Sequence, residues 1–245
     1  MKSIISLTST LLLTKNLISA SVLDFYNQAV KQTLKTEKQN GNDNFLGAFG
    51  TRTITQSDMQ LVNEYGCWCY FENDHGKGKG RPVDEIDVMC KRLHDGYTCA
   101  IMDAENLGHD ECIPWEVDYN SAVGSGFSLI NMDVETIRSE CDAQNPEVGC
   151  ANWACKIEGY FVQQYFLYAT GGGIINEEFR HENGFDPDLG CPIQHGVKSE
   201  KACCDEYPLR FPFKTYNGAR DCCYTHTFNT NLYQCCGDGK VKMTC

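Results

Sequence analysis

A chain of 245 residues has room for one large domain or two small ones, and its 16 cysteines exceed what a reducing compartment sustains. A formal charge of −12 argues against nucleic acid, whose phosphates call for a Lys/Arg surface, and against electrostatic capture by anionic membranes. Neutral lipid surfaces, calcium-bridged surfaces and cationic partners stay open.

Met1-Lys2 is followed by an apolar run from Ile4 to Leu13 that ends near Ile18-Ser19-Ala20, which reads as a cleaved secretory signal over residues 1–20. No later run approaches the ~18 apolar residues a spanning helix needs. The product is therefore expected to be extracellular and disulfide-linked. Eight cysteines lie between Cys67 and Cys155 and eight between Cys191 and Cys245. Even counts let each block close its own bridges, with about 105 pairings open to eight cysteines. The stretch from Gly171-Gly172-Gly173 to Gly190 is rich in Gly, Asn and Asp, as a connection should be.

Residues 22–34 place Val22, Tyr26, Ala29 and Val30 at helical spacing, and Ser57-Asp58 is positioned to cap a short helix through Val62. Asp84 caps the next helix. Within it Ile86, Cys90, Leu93 and Tyr97 recur at four, three and four residues, which makes one apolar stripe with His94 on its margin. A further helix is read from Ala151 to about Thr170, with Ala154, Cys155, Phe161, Val162 and Tyr165 on one face and Lys156, Gln163 and Gln164 opposite. Glu158 falls in the middle of the apolar face. A carboxylate there must be paired or have its pKa raised, and a His on a disulfide-linked neighbouring helix is its natural partner.

Three segments carry chemistry in a fixed order: Tyr65-Gly66-Cys67-Trp68-Cys69, then Pro82-Val83-Asp84-Glu85-Ile86-Asp87, then Cys90-Lys91-Arg92-Leu93-His94-Asp95. Over about residues 57–165 they resemble the secreted calcium-dependent phospholipases A2. That family's pattern is Tyr-Gly-Cys-x-Cys-Gly-x-Gly-Gly, Pro-x-Asp-x-x-Asp and Cys-Cys-x-x-His-Asp. The resemblance implies a mainly α, disulfide-rich fold of antiparallel helices with a calcium loop over residues 57–180, preceded by an N-terminal helix and linker over 21–56. It implies hydrolysis of the sn-2 ester of glycerophospholipids at an aggregate or membrane surface, releasing fatty acid and lysophospholipid. His94 then takes the proton of the attacking water, and Asp95 with the carbonyls of Trp68, Tyr70 and Glu72 holds Ca2+. Glu158 stands where the family has the Asp that orients its catalytic His, and Tyr97 is placed to hydrogen-bond it.

The chain departs from the pattern in two places. Tyr70-Phe71-Glu72-Asn73 replaces the Gly-rich run, and the span to Pro82 is longer, with Gly76, Gly78 and Gly80 further on to restore backbone freedom. In the helix, Met89-Cys90 replaces the paired cysteines. If Cys90 takes the second cysteine's place, the His94-Asp95 pair is rotated by ~100° against its anchor. If it takes the first, the pair keeps its register beside the apolar stripe, which is the preferred alternative. Cys67 and Cys69 also have the spacing of half a zinc site, but in a secreted chain without a matching His/Cys pair disulfides are the better reading.

Residues 181–245 form a different block. Cys203-Cys204, Cys222-Cys223 and Cys235-Cys236 are vicinal pairs, and each is expected to clip neighbouring segments into short hairpins, with Asp238-Gly239 as a tight turn. Cys222 to Asn229 and Cys235 to Gly239 resemble the dicysteine repeats of galaxin-like extracellular matrix proteins. That resemblance implies binding to a matrix partner; a protease-resistant tail is the plainer alternative. His195 and His226 read as surface residues. Two functions follow for the whole chain: a secreted phospholipase A2-like hydrolase, or a catalytically inactive matrix or binding protein that keeps the fold as a scaffold.

Overall fold

The structure is a computed structural model and describes residues 22, 25–31, 60–71, 76–109, 111–121, 131–193 and 197–245. The signal over residues 1–20, the cap at Ser57-Asp58, His195 and Glu72 lie outside the described residues. The fold is a disulfide-rich mixture of helices and short antiparallel hairpins. No helix among the described residues is long and apolar enough to cross a membrane.

Helix α1 (25–31) buries Phe25, Tyr26, Ala29 and Val30. Tyr26 packs against Tyr165 and Phe166, with ring centroids 5.8 and 5.3 Å away. Residues 60–64 form turns instead of the short helix expected there, with the Glu64 amide bonded to the Cys69 carbonyl at 2.8 Å. The chain must reverse at this point to bring Tyr65 and Cys69 into a bridge, and helical hydrogen bonding would prevent it.

Helix α2 (Glu85–Leu107) starts at Asp84, whose side chain accepts from the Asp87 amide, and stops at Gly108 in the left-handed region. Its stripe of Ile86, Cys90, Leu93 and Tyr97 is fully buried, and His94 is buried with it. Helix α3 (Val134–Gln144) is capped by Asp133. Helix α4 (Cys150–Thr170) packs against α2, and Gly96 makes room for α4, since a β-carbon there would stand 3.1 Å from the Ile157 side chain. Gln163 is buried instead of facing outward. Residues ahead of α3 cover that side of α4, and the Gln163 amide is satisfied by the Met132 carbonyl at 2.7 Å.

The expected connection is tied down. Two 3-10 turns (Glu177–Phe179 and His181–Asn183) and α5 (Pro187–Gly190) lie along the 64–67 loop. Gly66 N donates to Phe179 O and His181 N to Glu64 O, at 2.8 and 3.1 Å.

Three hairpins follow: β1 (Lys201–Cys204) with β2 (Phe211–Lys214), β3 (Arg220–Cys223) with β4 (His226–Asn229), and β5 (Gln234–Cys235) with β6 (Val241–Lys242). Gly239 takes φ +76° at the expected turn. The vicinal cysteines pair as expected with different segments: Cys204–Cys222, Cys223–Cys235 and Cys236–Cys245. The two cysteine blocks do not close separately, however, because Cys67–Cys191 and Cys99–Cys203 cross between them. Hairpins this short have too little apolar bulk for a core of their own, so the first is anchored on α2.

Candidate functional site

The site begins with a buried carboxylate. Asp87, in the first turn of α2, is fully buried and accepts from the amides of Cys67, Trp68 and Val83 at 2.9, 2.7 and 2.9 Å. Burial raises its pKa and the three amides oppose that rise, so the carboxylate and the 66–68 loop hold each other in place. Gly66 is required, since its φ is +58° and the Asp87 carboxyl fills the space of a β-carbon. Gly78 likewise leaves room for the Trp68 ring, and Trp68 Nε1 donates to Gly80 O at 3.2 Å. Gly76 and Gly80 supply positive φ in the lengthened loop, whereas Tyr70 needs none.

Cys69–Cys90 ties this loop to α2 one helical turn before His94. Trp68 meets the His94 ring edge-on at 5.8 Å, and Tyr70 O lies 3.0 Å from His94 Nε2. A carbonyl only accepts, so Nε2 carries the proton and Nδ1 the lone pair. Burial pulls the His94 pKa down to about 4, against the Tyr70 contact and with help from Lys91, so the ring is neutral at physiological pH. The second loop wall is His181, which donates from Nε2 to Gly66 O at 2.8 Å and packs against Tyr70.

Glu158 lies on α4 with no exposed surface and accepts from Tyr97 OH at 2.6 Å and from Tyr119 OH. Burial, then the carboxylate, push the Tyr97 pKa well up, so the phenol keeps its proton and donates. Tyr97 therefore stands where the sequence put it. Tyr119 comes from the 111–121 loop, where no periodicity signals it.

Asp95 follows His94 on α2, and its carboxylate is ion-paired with Lys91, one turn earlier. Burial raises the Asp95 pKa, and Lys91 opposes the rise. The Lys91 ammonium also sits 5.0 Å over the Trp68 ring. Cys67 and Cys69 are both in disulfides, which removes the zinc alternative.

Trp68, Tyr70 and Asp95 offer the class of donor that calcium selects. Trp68 O, Tyr70 O and the Asp95 carboxylate are hard oxygens carried by one anchored loop and the helix beside it. The Lys91 ammonium occupies the Asp95 carboxylate in this structure. By the chemistry of their oxygen donors alone, the residues fit calcium. Trp68 O at present accepts from Tyr70 N at 2.8 Å, and Glu72 lies outside the described residues. Among the described residues no group of three or more His, Cys, Asp or Glu side chains is placed to hold a metal, so an ion here would have to rest on carbonyls and one carboxylate.

No family model matches the chain, and no solved structure matches it.

Proposed function

We propose that the protein is a calcium-dependent hydrolase of the phospholipase A2 type, cleaving the sn-2 ester of glycerophospholipids outside the cell. The observation that carries this reading is a buried, neutral His94 next to Asp95, with an anchored loop carbonyl at its Nε2 and the phenol-held carboxylate of Glu158 on the facing helix. The cysteine content and the ordered motifs support the compartment and the substrate class.

In this reading water attacks the ester carbonyl carbon while His94 Nδ1 takes its proton. The tetrahedral intermediate collapses, the ester C–O bond breaks, and the proton passes from His94 to the lysophospholipid alkoxide. No acyl-enzyme forms. Tyr70 O fixes the tautomer that makes Nδ1 the acceptor. Glu158 and its two phenols hold a polar, water-poor wall behind the helix pair. Asp95 with the carbonyls of Trp68 and Tyr70 would hold calcium, which would supply Lewis-acid polarisation of the ester carbonyl.

Fatty-acid release from phosphatidylcholine micelles at millimolar calcium tests this. The wild type is expected to release fatty acid and His94→Gln to lose it; no release from the wild type removes the proposal. A second reading, a catalytically silent scaffold, is favoured by the Lys91 ammonium that already neutralises Asp95. It predicts that His94 and Asp95 substitutions leave surface or matrix attachment unchanged while removal of the hairpins abolishes it.

A further inference from the structure

Helix α2 turns a second face toward the C-terminal block, carrying Lys91, Asp95, Cys99, Met102 and Asp103. Cys99 is bonded to Cys203, and Met102 touches the same sulfur at 3.9 Å. Asp103 takes both Arg210 nitrogens, at 2.7 and 3.0 Å, and accepts from Tyr207 OH at 2.7 Å. Tyr207 stacks on Trp153 of α4, and its carbonyl accepts from Arg138 Nε at 2.6 Å. The 205–210 connection between β1 and β2 is thus locked onto both α2 and α4.

The locked connection leaves a groove of about 480 Å³ beside the candidate site. That volume lies in the ~300–1,000 Å³ range of small-molecule pockets. Its floor is Lys91, Arg92 and Asp95 of α2 with Tyr160 of α4, and its far wall is the 208–212 run of Pro208, Leu209, Arg210, Phe211 and Pro212. The two prolines stiffen the wall, so the groove is preformed. Its charges divide clearly. Lys91 is taken by Asp95 and Arg210 by Asp103, whereas exposed Arg92 and the half-buried lining carboxylate Asp205 have no ion-pair partner among the described residues. One guanidinium and one carboxylate are thus available beside an apolar wall, and Asp95 forms the edge shared with the His94-Asp95 pair.

We infer that this groove binds a phosphodiester amphiphile, with the phosphate on Arg92 and an acyl chain along Leu209, Phe211 and Pro212. The C-terminal block then supplies half of the substrate groove. The overall charge of −12 does not oppose this, because the contact is a local one between a guanidinium and a single phosphodiester, which neutral phospholipids also carry. The inference rests on the hydrolase reading for its role in turnover, while the binding itself does not.

The test uses the full chain and a short-chain dialkyl ether analogue of phosphatidylcholine below its micelle concentration, followed by calorimetry. The analogue has no ester, so binding is read whether or not the protein hydrolyses lipid. Arg92→Gln and Leu209→Asp are each expected to bind it about tenfold more weakly. Leu189→Asp, at an exposed apolar position on α5 outside the groove, is expected to bind as the wild type does. Glycerophosphocholine, which has the headgroup without chains, is expected to bind at least about tenfold more weakly than the ether lipid. Circular dichroism and thermal unfolding check that both groove variants fold. No binding by the wild type, wild-type affinity in both folded groove variants, or equal affinity for glycerophosphocholine overturns the inference. Fatty-acid release by the wild type is scored separately and decides the hydrolase reading alone.

Discussion

Gly66 and Asp87 fit only as the pair they are, because a β-carbon on Gly66 would stand 2.6 Å from Cγ of Asp87. The carboxylate needs that approach to reach the amides of Cys67 and Trp68. Gly66→Ala must both adopt a left-handed backbone and push the carboxylate away, so a loss of about 2–4 kcal/mol is expected in urea unfolding. A change within 0.5 kcal/mol would show that the loop is not anchored this way.

The two phenols on Glu158 are expected to act as a unit. Tyr97→Phe or Tyr119→Phe removes one hydrogen-bond donor from the buried carboxylate, at a cost of about 1–3 kcal/mol each. The double variant is expected to depart from the sum of the two by about 0.5 kcal/mol or more, since both partners share one carboxylate. Strict additivity in a double-mutant cycle would count against a shared acceptor.

Acid is expected to weaken the fold through His94. Its folded pKa, about 4, lies below the unfolded value, so the unfolded chain binds the proton first as pH falls. This contribution is fully present above about pH 6.5 and is lost between about pH 6.5 and 4, for a total of about 3 kcal/mol. His94→Gln, which cannot titrate, is expected to flatten the stability profile in that window. The same neutral ring predicts that ester hydrolysis keeps its base down to an acid limb near pH 4. An acid limb above pH 6 would place the titrating base elsewhere.

Lys91 is expected to compete with calcium. Lys91→Met removes the ammonium from Asp95 while keeping a side chain of similar length over Trp68. Because the pair is partly exposed and screened, the expected gain in calcium affinity is modest, about three- to tenfold by calorimetry. Unchanged or weaker calcium binding would show that Lys91 does not guard the carboxylate.

Much of the helical half was legible because burial there follows a period. The spacing of Ile86, Cys90, Leu93 and Tyr97 gave the inner face of α2, and the same logic put Glu158 inside α4. What escaped the pattern came from residues whose roles depend on distant backbone. Asp87 sat in a recognised motif, yet its work of holding three amides 4 to 20 positions away has no period. Tyr119 lies in a loop and His181 opens a 3-10 turn, and only the fold brings them to Glu158 and Gly66. The cysteine counts misled for a related reason: parity limits how many bridges a block can close and says nothing about whether a short hairpin must lean on a helix.

The vicinal cysteines give the chain a second covalent route. From Cys245 the path runs through Cys236, Cys235, Cys223, Cys222, Cys204 and Cys203 to Cys99, crossing four disulfides and the three peptide bonds between adjacent cysteines. The stretches between those pairs hang from this route as closed side loops. A protease that nicks any one of them releases nothing, and tension applied at the C-terminus passes straight to α2 without unravelling a hairpin. Attachment to the helical half is therefore independent of the integrity of any single turn.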